Sequence, residues 1–215
     1  MAVYILLLLP AAIIAYGAGS MDTMVLASNF VFHSNLRKLG KGGVWISNFR
    51  RIYGLKGALK LLAVELVKDA GPILIGGLLL LIKGHFAIGC AFAGFCLVMG
   101  RLWPVFYSLK GSNATIAMIV AGMFMDKSAG IAAAVVVIGL LLWTKRLALA
   151  TFAGAFVMLA VAVLVIDEKI IIILAALTAA AVIVRHIPAV HRTIKGFGEK
   201  LELKEDLAYK FDEKF

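Results

Sequence analysis

The chain alternates long apolar runs with short polar intervals. Runs long enough to cross a hydrocarbon core of ~30 Å can be read at residues 3 to 32, 57 to 82, 85 to 106, 112 to 126, 128 to 144, 147 to 166 and 170 to 187. The pattern predicts an all-α, polytopic membrane protein with about seven transmembrane helices. The fourth run is short, so it is either thinly inserted or continued by its flanks. The first is long, and Asp22 lies within it. Its N-terminal part lacks a basic leader region and a small-residue cleavage site, so residues 3 to 20 read as a retained span. Polar intervals shorter than about 30 residues are too small to bury a core of their own, which excludes a soluble domain. One interval stands out: GRLWPVFYSLKGSNAT, residues 100 to 115, carries far more polar and turn-forming side chains than a helix connection needs.

Composition agrees with the pattern. The 215 residues are 63% hydrophobic and 16% charged, with a mean hydropathy of +1.01, outside the range of soluble domains. The distribution of Lys and Arg then sets an expected orientation. With the N-terminus outside, the inner segments hold Arg37, Lys38, Lys41, Arg50, Arg51, Lys56 and Lys60, then Arg101 and Lys110, then Lys145 and Arg146, then the basic residues from Arg185 onward. The outer turns hold Lys83, Lys127 and Lys169. The positive-inside rule places the C-terminus in the cytoplasm together with all polar-rich segments. The net charge of +10 is accounted for by this topology and by contact with anionic inner-leaflet lipid, leaving no case for nucleic acid.

Metal and redox chemistry find little support. Cys90 and Cys96 fall six apart in the third run, where one helix cannot bridge them, so they read as packed apolar side chains. His33, His85, His186 and His191 show no zinc-ligand spacing, and no cofactor is expected. The inner segments are better candidates for chemistry. Residues 37 to 51, RKLGKGGVWISNFRR, combine glycines, Ser47, Asn48 and paired arginines. That mixture exposes backbone N–H groups around an anion while Arg neutralises it; a plain loop with orienting charge explains the same composition. On the same side, Pro104 ends the third helix, and Lys110, Gly111, Ser112, Asn113 and Thr115 precede or open the fourth, where a helix N-terminus attracts anions. Two such loops beside apolar helices suggest a substrate with a phosphate head and an acyl tail.

These segments resemble the acyl-phosphate:glycerol-3-phosphate acyltransferases of the PlsY type. AYGAGS at 15 to 20 is similar to the family's first-helix signature, and LRKLGKGGVWISNFRRIYG at 36 to 54 is similar to I-R-x-x-G-S-G-N-x-G-A-T-N-x-x-R. ELVKD at 65 to 69 resembles D-x-x-K-G, GRLWPVFYSLKGSNAT resembles G-H-x-F-P-V-F-x-x-F-K-G-G-K-G-V-A-T, and RHIPAVHRTIKG at 185 to 196 resembles R-H-R-x-N-I-x-R-x-x-x-G. The resemblance implies a transmembrane acyltransferase domain over residues 1 to 196, in a prokaryotic cytoplasmic membrane. It implies that the hydroxyl of glycerol 3-phosphate, or of a related acceptor, attacks an acyl phosphate in phospholipid synthesis. Ser47, Asn48 and His186 would then be catalytic, with Arg37, Gly40, Gly42, Arg51, Arg101, Lys110, Gly111, Asn113 and Arg185 binding substrate.

The departures are concentrated in those loops. Lys41, Gly43, Trp45 and Ile46 stand where the family has Ser, Asn, Gly and Ala, and Ser47 stands for Thr. Arg101 stands for His, Ser112 for Gly, Asn113 for Lys, Ala114 for Gly, and Ala189 for Asn. Losing glycine removes easy access to positive φ, and losing a lysine removes a cation from a phosphate site. A catalytically inactive scaffold that binds lipid or a partner is therefore the alternative. A transporter, suggested by Asp22 inside a span, finds no internal inverted repeat to support it. Asp22 otherwise reads as a water-lined position in a long, tilted helix. In residues 197 to 215, Leu201, Leu203, Leu207, Phe211 and Phe215 alternate with charges at close to helical period, predicting a short amphipathic cytoplasmic tail suited to packing on the loops or on a peripheral protein partner.

Overall fold

The computed structural model describes residues 2–25, 46–109 and 111–195. Seven α-helices lie within them: α1 (Ala2–Ser20), α2 (Ile46–Leu81), α3 (Phe86–Leu102), α4 (Thr115–Met125), α5 (Lys127–Thr144), α6 (Leu147–Val165) and α7 (Lys169–Ile194). A single 3-10 turn, Val105–Tyr107, sits between α3 and α4. Among the described residues, α1, α5, α6 and α7 each combine the length and hydropathy needed to cross a membrane. The bundle exposes large apolar side chains and holds polar ones within a largely apolar core. Leu6, Trp143 and Leu164 are exposed, whereas Glu65, Asp69, Arg101, Thr151, Thr178 and His186 are buried, the distribution a lipid solvent demands.

Small residues decide the packing. The inward face of α3 carries Gly89, Cys90, Ala91, Ala93, Gly94, Cys96 and Gly100, which lets this helix touch α1, α2, α4 and α7 at once. Both cysteines are buried free thiols. The crossing with α1 is closest at its end: a Cβ on Gly19 would collide with the Leu97 carbonyl, and one on Gly100 with the Tyr16 carbonyl. Removing both side chains brings the backbones into direct contact, as small-residue pairs do between membrane helices. Ser20 Oγ donates to the Gly100 carbonyl (3.4 Å) and Tyr16 Oη to the Trp103 carbonyl (2.6 Å).

Two expectations are corrected. The first run does not form one helix to residue 32: α1 stops at Ser20, and a further helical stretch starts at Thr23. Asp22 is therefore in a helix break, buried, with Oδ1 accepting the Met24 N–H (3.0 Å). Its short carboxylate offers the backbone a local partner that competes with helix continuation. The segment 37 to 51 is not a loop throughout, because α2 begins at Ile46 and only breaks its helical geometry at Gly54 (φ 73°, ψ 178°). The fourth run is short, as its length in the sequence implies: α4 has 11 residues, about 16 Å at 1.5 Å per residue, so it cannot cross by itself. Its N-terminal flank is irregular backbone in which Pro104 and Ala114 are buried while Val105, Phe106, Ser108 and Leu109 are exposed. The tail at 197 to 215 lies outside the described residues.

Candidate functional site

Among the described residues, the polar stretches around 100 to 115, 144 to 151 and 185 to 195 gather at one end of the bundle. Contacts join the C-terminal ends of α1, α3 and α7 to the N-terminal ends of α4 and α6. At the opposite end, the rings of Tyr4 and His85, near the starts of α1 and α3, lie 6.0 Å apart.

Beneath the polar end sits an ion network. Arg101, at the last turn of α3, pairs with Glu65 through Nη2 and lies 3.9 Å from Asp69 Oδ2. Its Nη1 donates to the Met21 carbonyl (3.3 Å). Lys68 pairs with Asp69 Oδ1 (3.2 Å) and donates to the carbonyls of Ala18 and Met21 (3.2 and 3.0 Å). Glu65 and Asp69 are one turn apart on α2, so both face the same partner. Two cations thus meet two carboxylates and also take up carbonyls left free where α1 ends.

Beside this network lies the segment between α3 and α4. Trp103 closes α3, Pro104 leads into the 3-10 turn, and Ser108 and Leu109 reverse the chain with φ of 52° and 59°. Two successive non-glycine residues in the left-handed region are uncommon and mark a conformation imposed by its surroundings. Gly111 then returns against the end of α3, so closely that a Cβ would strike the carbonyls of Arg101 and Leu102. Two bonds fasten this returning segment to α7. Arg185 Nη2 donates to the Gly111 carbonyl (3.3 Å), and His186 Nε2 lies 3.2 Å from the Asn113 amide. The other imidazole nitrogen, Nδ1, lies 2.8 Å from the Val182 carbonyl, which can only accept, so Nδ1 carries a proton. Just behind, Thr115 Oγ1 and Thr151 Oγ1 share a hydrogen bond of 2.5 Å, and Thr151 also donates to the Leu147 carbonyl (2.9 Å). Arg146 Nη1 caps the end of α7 at the Thr193 carbonyl (2.6 Å).

Of the residues expected to hold substrate, the structure brings Gly111, Asn113, Arg185 and His186 together. Arg101 is close in the chain but committed to Glu65 and Asp69, so its charge is already balanced. Ser47, Asn48 and Arg51 sit on the first turns of α2, their side chains outside what is described; Arg37, Gly40, Gly42 and Lys110 lie outside the described residues. The sequence reading missed the role of Glu65 and Asp69. Its available signal was plain: three charges inside one apolar run require a buried partner. The Thr115–Thr151 pair left no such signal, since the two residues are ordinary in their own helices.

Comparison with known proteins adds a second, independent line. A family model described as glycerol-3-phosphate acyltransferase matches residues 9–196. A glycerol-3-phosphate acyltransferase of Thermoanaerobacter sp. (strain X514) is 24% identical over 196 residues, covering 91% of this chain and 96% of that one. One from Streptococcus pyogenes serotype M5 (strain Manfredo) is 34% identical over 101 residues, covering 47% of this chain and 46% of its own. The fold is similar to the crystal structure of PlsY (YgiH), an integral membrane glycerol 3-phosphate acyltransferase, in its glycerol 3-phosphate form. The TM-score is 0.74 at 22% identity, covering 90% of this chain and 94% of the other. The lysophosphatidic acid form of PlsY gives the same TM-score at 21% identity.

Proposed function

The chain belongs to the glycerol-3-phosphate acyltransferase family, and from that membership we propose that it transfers an acyl group from acyl phosphate to glycerol 3-phosphate, or a related acceptor, in membrane phospholipid synthesis. The observation that carries the reading to these residues is the attachment of the 103–114 segment to α7 through Arg185 and His186. It joins two of the sequence segments that bear anion-binding side chains into one site at the basic end of the bundle. By the positive-inside rule that end faces the cytoplasm of a prokaryotic cell, with the N-terminus outside and the remaining apolar runs completing about seven spans.

The reaction requires that an acceptor hydroxyl oxygen bond to the acyl carbonyl carbon while the carbon–oxygen bond to phosphate breaks. Phosphate leaves with the electron pair, and the hydroxyl proton must be taken up. His186 Nε2 is placed to take it, because Nδ1 is already protonated against Val182. Ser47 and Asn48 position the hydroxyl and the developing oxyanion. Arg37, Arg51, Lys110 and Arg185 neutralise the phosphates, and the backbone of Gly40, Gly42 and Gly111 completes the cradle. Arg101 supports the site from below. Holding both substrates in contact supplies most of the acceleration, and donors directed at the oxyanion supply much of the rest.

The test is acyl transfer by the purified protein in lipid vesicles, from acyl phosphate to labelled glycerol 3-phosphate. Wild type is expected to form lysophosphatidate. Removing one charge-assisted bond of ~1.5 to 3 kcal/mol by Arg185→Met or Arg51→Ala should cost about 10- to 100-fold, and His186→Ala a comparable amount or more. A folded wild-type protein that forms no product with glycerol 3-phosphate or a related polyol phosphate would overturn the reading in favour of a lipid-binding scaffold.

A further inference from the structure

Arg37, Gly40, Gly42, Ser47, Asn48 and Arg51 all lie in the chain between the end of α1 and Lys68 of α2. Both limits of that interval meet at one atom. The Met21 carbonyl, directly after α1, accepts from Lys68 Nζ of α2 (3.0 Å) and from Arg101 Nη1 of α3 (3.3 Å). A carbonyl oxygen has two lone pairs, so both donors can use it at once. Lys68 also takes the Ala18 carbonyl (3.2 Å), and both cations sit at the C-terminus of α1, where the helix dipole favours positive charge. The Met21–Lys68 bond spans 47 positions, so it closes a loop of chain that holds the whole first substrate segment. The carboxylates orient the donors: Glu65 takes Arg101 Nη2 and leaves Nη1 to Met21, while Asp69 Oδ1 holds Lys68.

The same point is joined to the second substrate segment. Ser20 Oγ donates to the Gly100 carbonyl, and Gly111 lies directly against the carbonyls of Arg101 and Leu102 before its own carbonyl reaches Arg185. Arg101 thus touches the base of the first segment with its side chain and the foot of the second with its backbone. We propose that Lys68 and Arg101 are positioning residues that clip the Met21 carbonyl and so hold the first substrate segment in register with the second, Glu65 and Asp69 orienting the clip. The proposal rests on the acyl-transfer reading, in which groups from both segments meet one pair of substrates and a misplacement of about 1 Å is costly. Neither cation touches substrate. A network that only stabilised the fold would return activity together with stability; a clip would not.

The experiment measures unfolding, acyl transfer per folded molecule and backbone hydrogen–deuterium exchange for each variant of the full chain. Arg101→Met combined with Glu65→Leu removes one donor together with its carboxylate, so neither charge of that pair is left buried alone. It is expected to regain part of the stability that Arg101→Met loses, yet to keep kcat/KM about 10- to 100-fold below wild type. Lys68→Met removes the other donor and leaves the Arg101–Glu65 pair in place. It should lower kcat/KM by about 10-fold, and Lys68→Arg should restore most of it, since a guanidinium can donate to a carboxylate and a carbonyl at once. In the double variant and in Lys68→Met, the amides of residues 18 to 25 should exchange faster, reported by the Met21 N–H bonded to Ala18 (3.3 Å) and the Met24 N–H bonded to Asp22 (3.0 Å), while α5 keeps its wild-type rates. Activity that returns with stability in the double variant would overturn the proposal. Wild-type exchange at residues 18 to 25, or full kcat/KM in Lys68→Met, would overturn it as well. If wild type itself forms no product, the acyl-transfer reading fails, and the exchange rates, which need no substrate, still establish or remove the clip.

Discussion

Two polar clusters lie at the same end of this bundle and are built on opposite principles. Around Arg101, two cations face two carboxylates, and remaining donors take up carbonyls at the end of α1. The cluster is closed: its charges are balanced within the protein. Around His186, the partners are a loop carbonyl, a helix carbonyl and an amide. Among the described residues, none of the groups bonded there is a carboxylate, and Arg185 donates to a neutral carbonyl oxygen. On the proposed reading, its positive charge is available to an anion from outside. The difference teaches that a buried arginine in a substrate-like segment need not touch substrate. What decides its role is whether the fold has supplied a counter-charge.

The comparison is broken most severely from the closed side. Arg101→Met would leave the buried Glu65 without its cation while Asp69 keeps Lys68, and removal of one partner from such a pair costs about 3 to 5 kcal/mol. Unfolding in mixed micelles should show that loss, and adding Glu65→Leu to Arg101→Met should recover part of it. Full stability in Arg101→Met would mean that the network is not closed.

A smaller effect is expected just behind the open cluster. Thr151→Val keeps the shape but strands the Thr115 hydroxyl, a loss of about 1 to 3 kcal/mol for a buried unsatisfied group. Because Thr115 opens α4 directly after Asn113 and Ala114, kcat should fall along with stability. Unchanged kcat would separate this pair from the site.

The smallest effect serves as the control, placed at the opposite end. Asp126 begins α5, its Oδ1 accepting the backbone N–H groups of Ser128 and Ala129 (2.8 and 3.2 Å) as well as the Ser128 hydroxyl. Asp126→Ala should cost about 1 kcal/mol, as the loss of an N-cap does, and leave acyl transfer per folded molecule at the wild-type level. A drop in specific activity would show that the two ends of the bundle are coupled.

Much of this architecture is legible without coordinates, because a lipid solvent allows few solutions. Apolar runs of membrane length must be helices, since only a helix satisfies its backbone within one segment. The runs at 128 to 144 and 147 to 166 accordingly match α5 and α6 almost residue for residue. The segments at 100 to 115 and 185 to 196 were legible as polar material with an anion-binding character. Their mutual contact was not. Sequence spacing says nothing about which helix end lies beside which, and the Asn113–His186 bond spans 73 positions. The shortness of α4 was legible in the fourth run, but the break at Asp22 was hidden for a related reason: hydropathy averages over a window, whereas a helix ends where a local side chain takes over its backbone hydrogen bonds. Sequence alone settles that this chain is a helical membrane protein, and which residue types are available for phosphate chemistry. Only tertiary structure decides that Arg101 is spent on Glu65 and Asp69 while Arg185 and His186 are not, because the net charge of a site depends on the counter-charges that folding brings within reach.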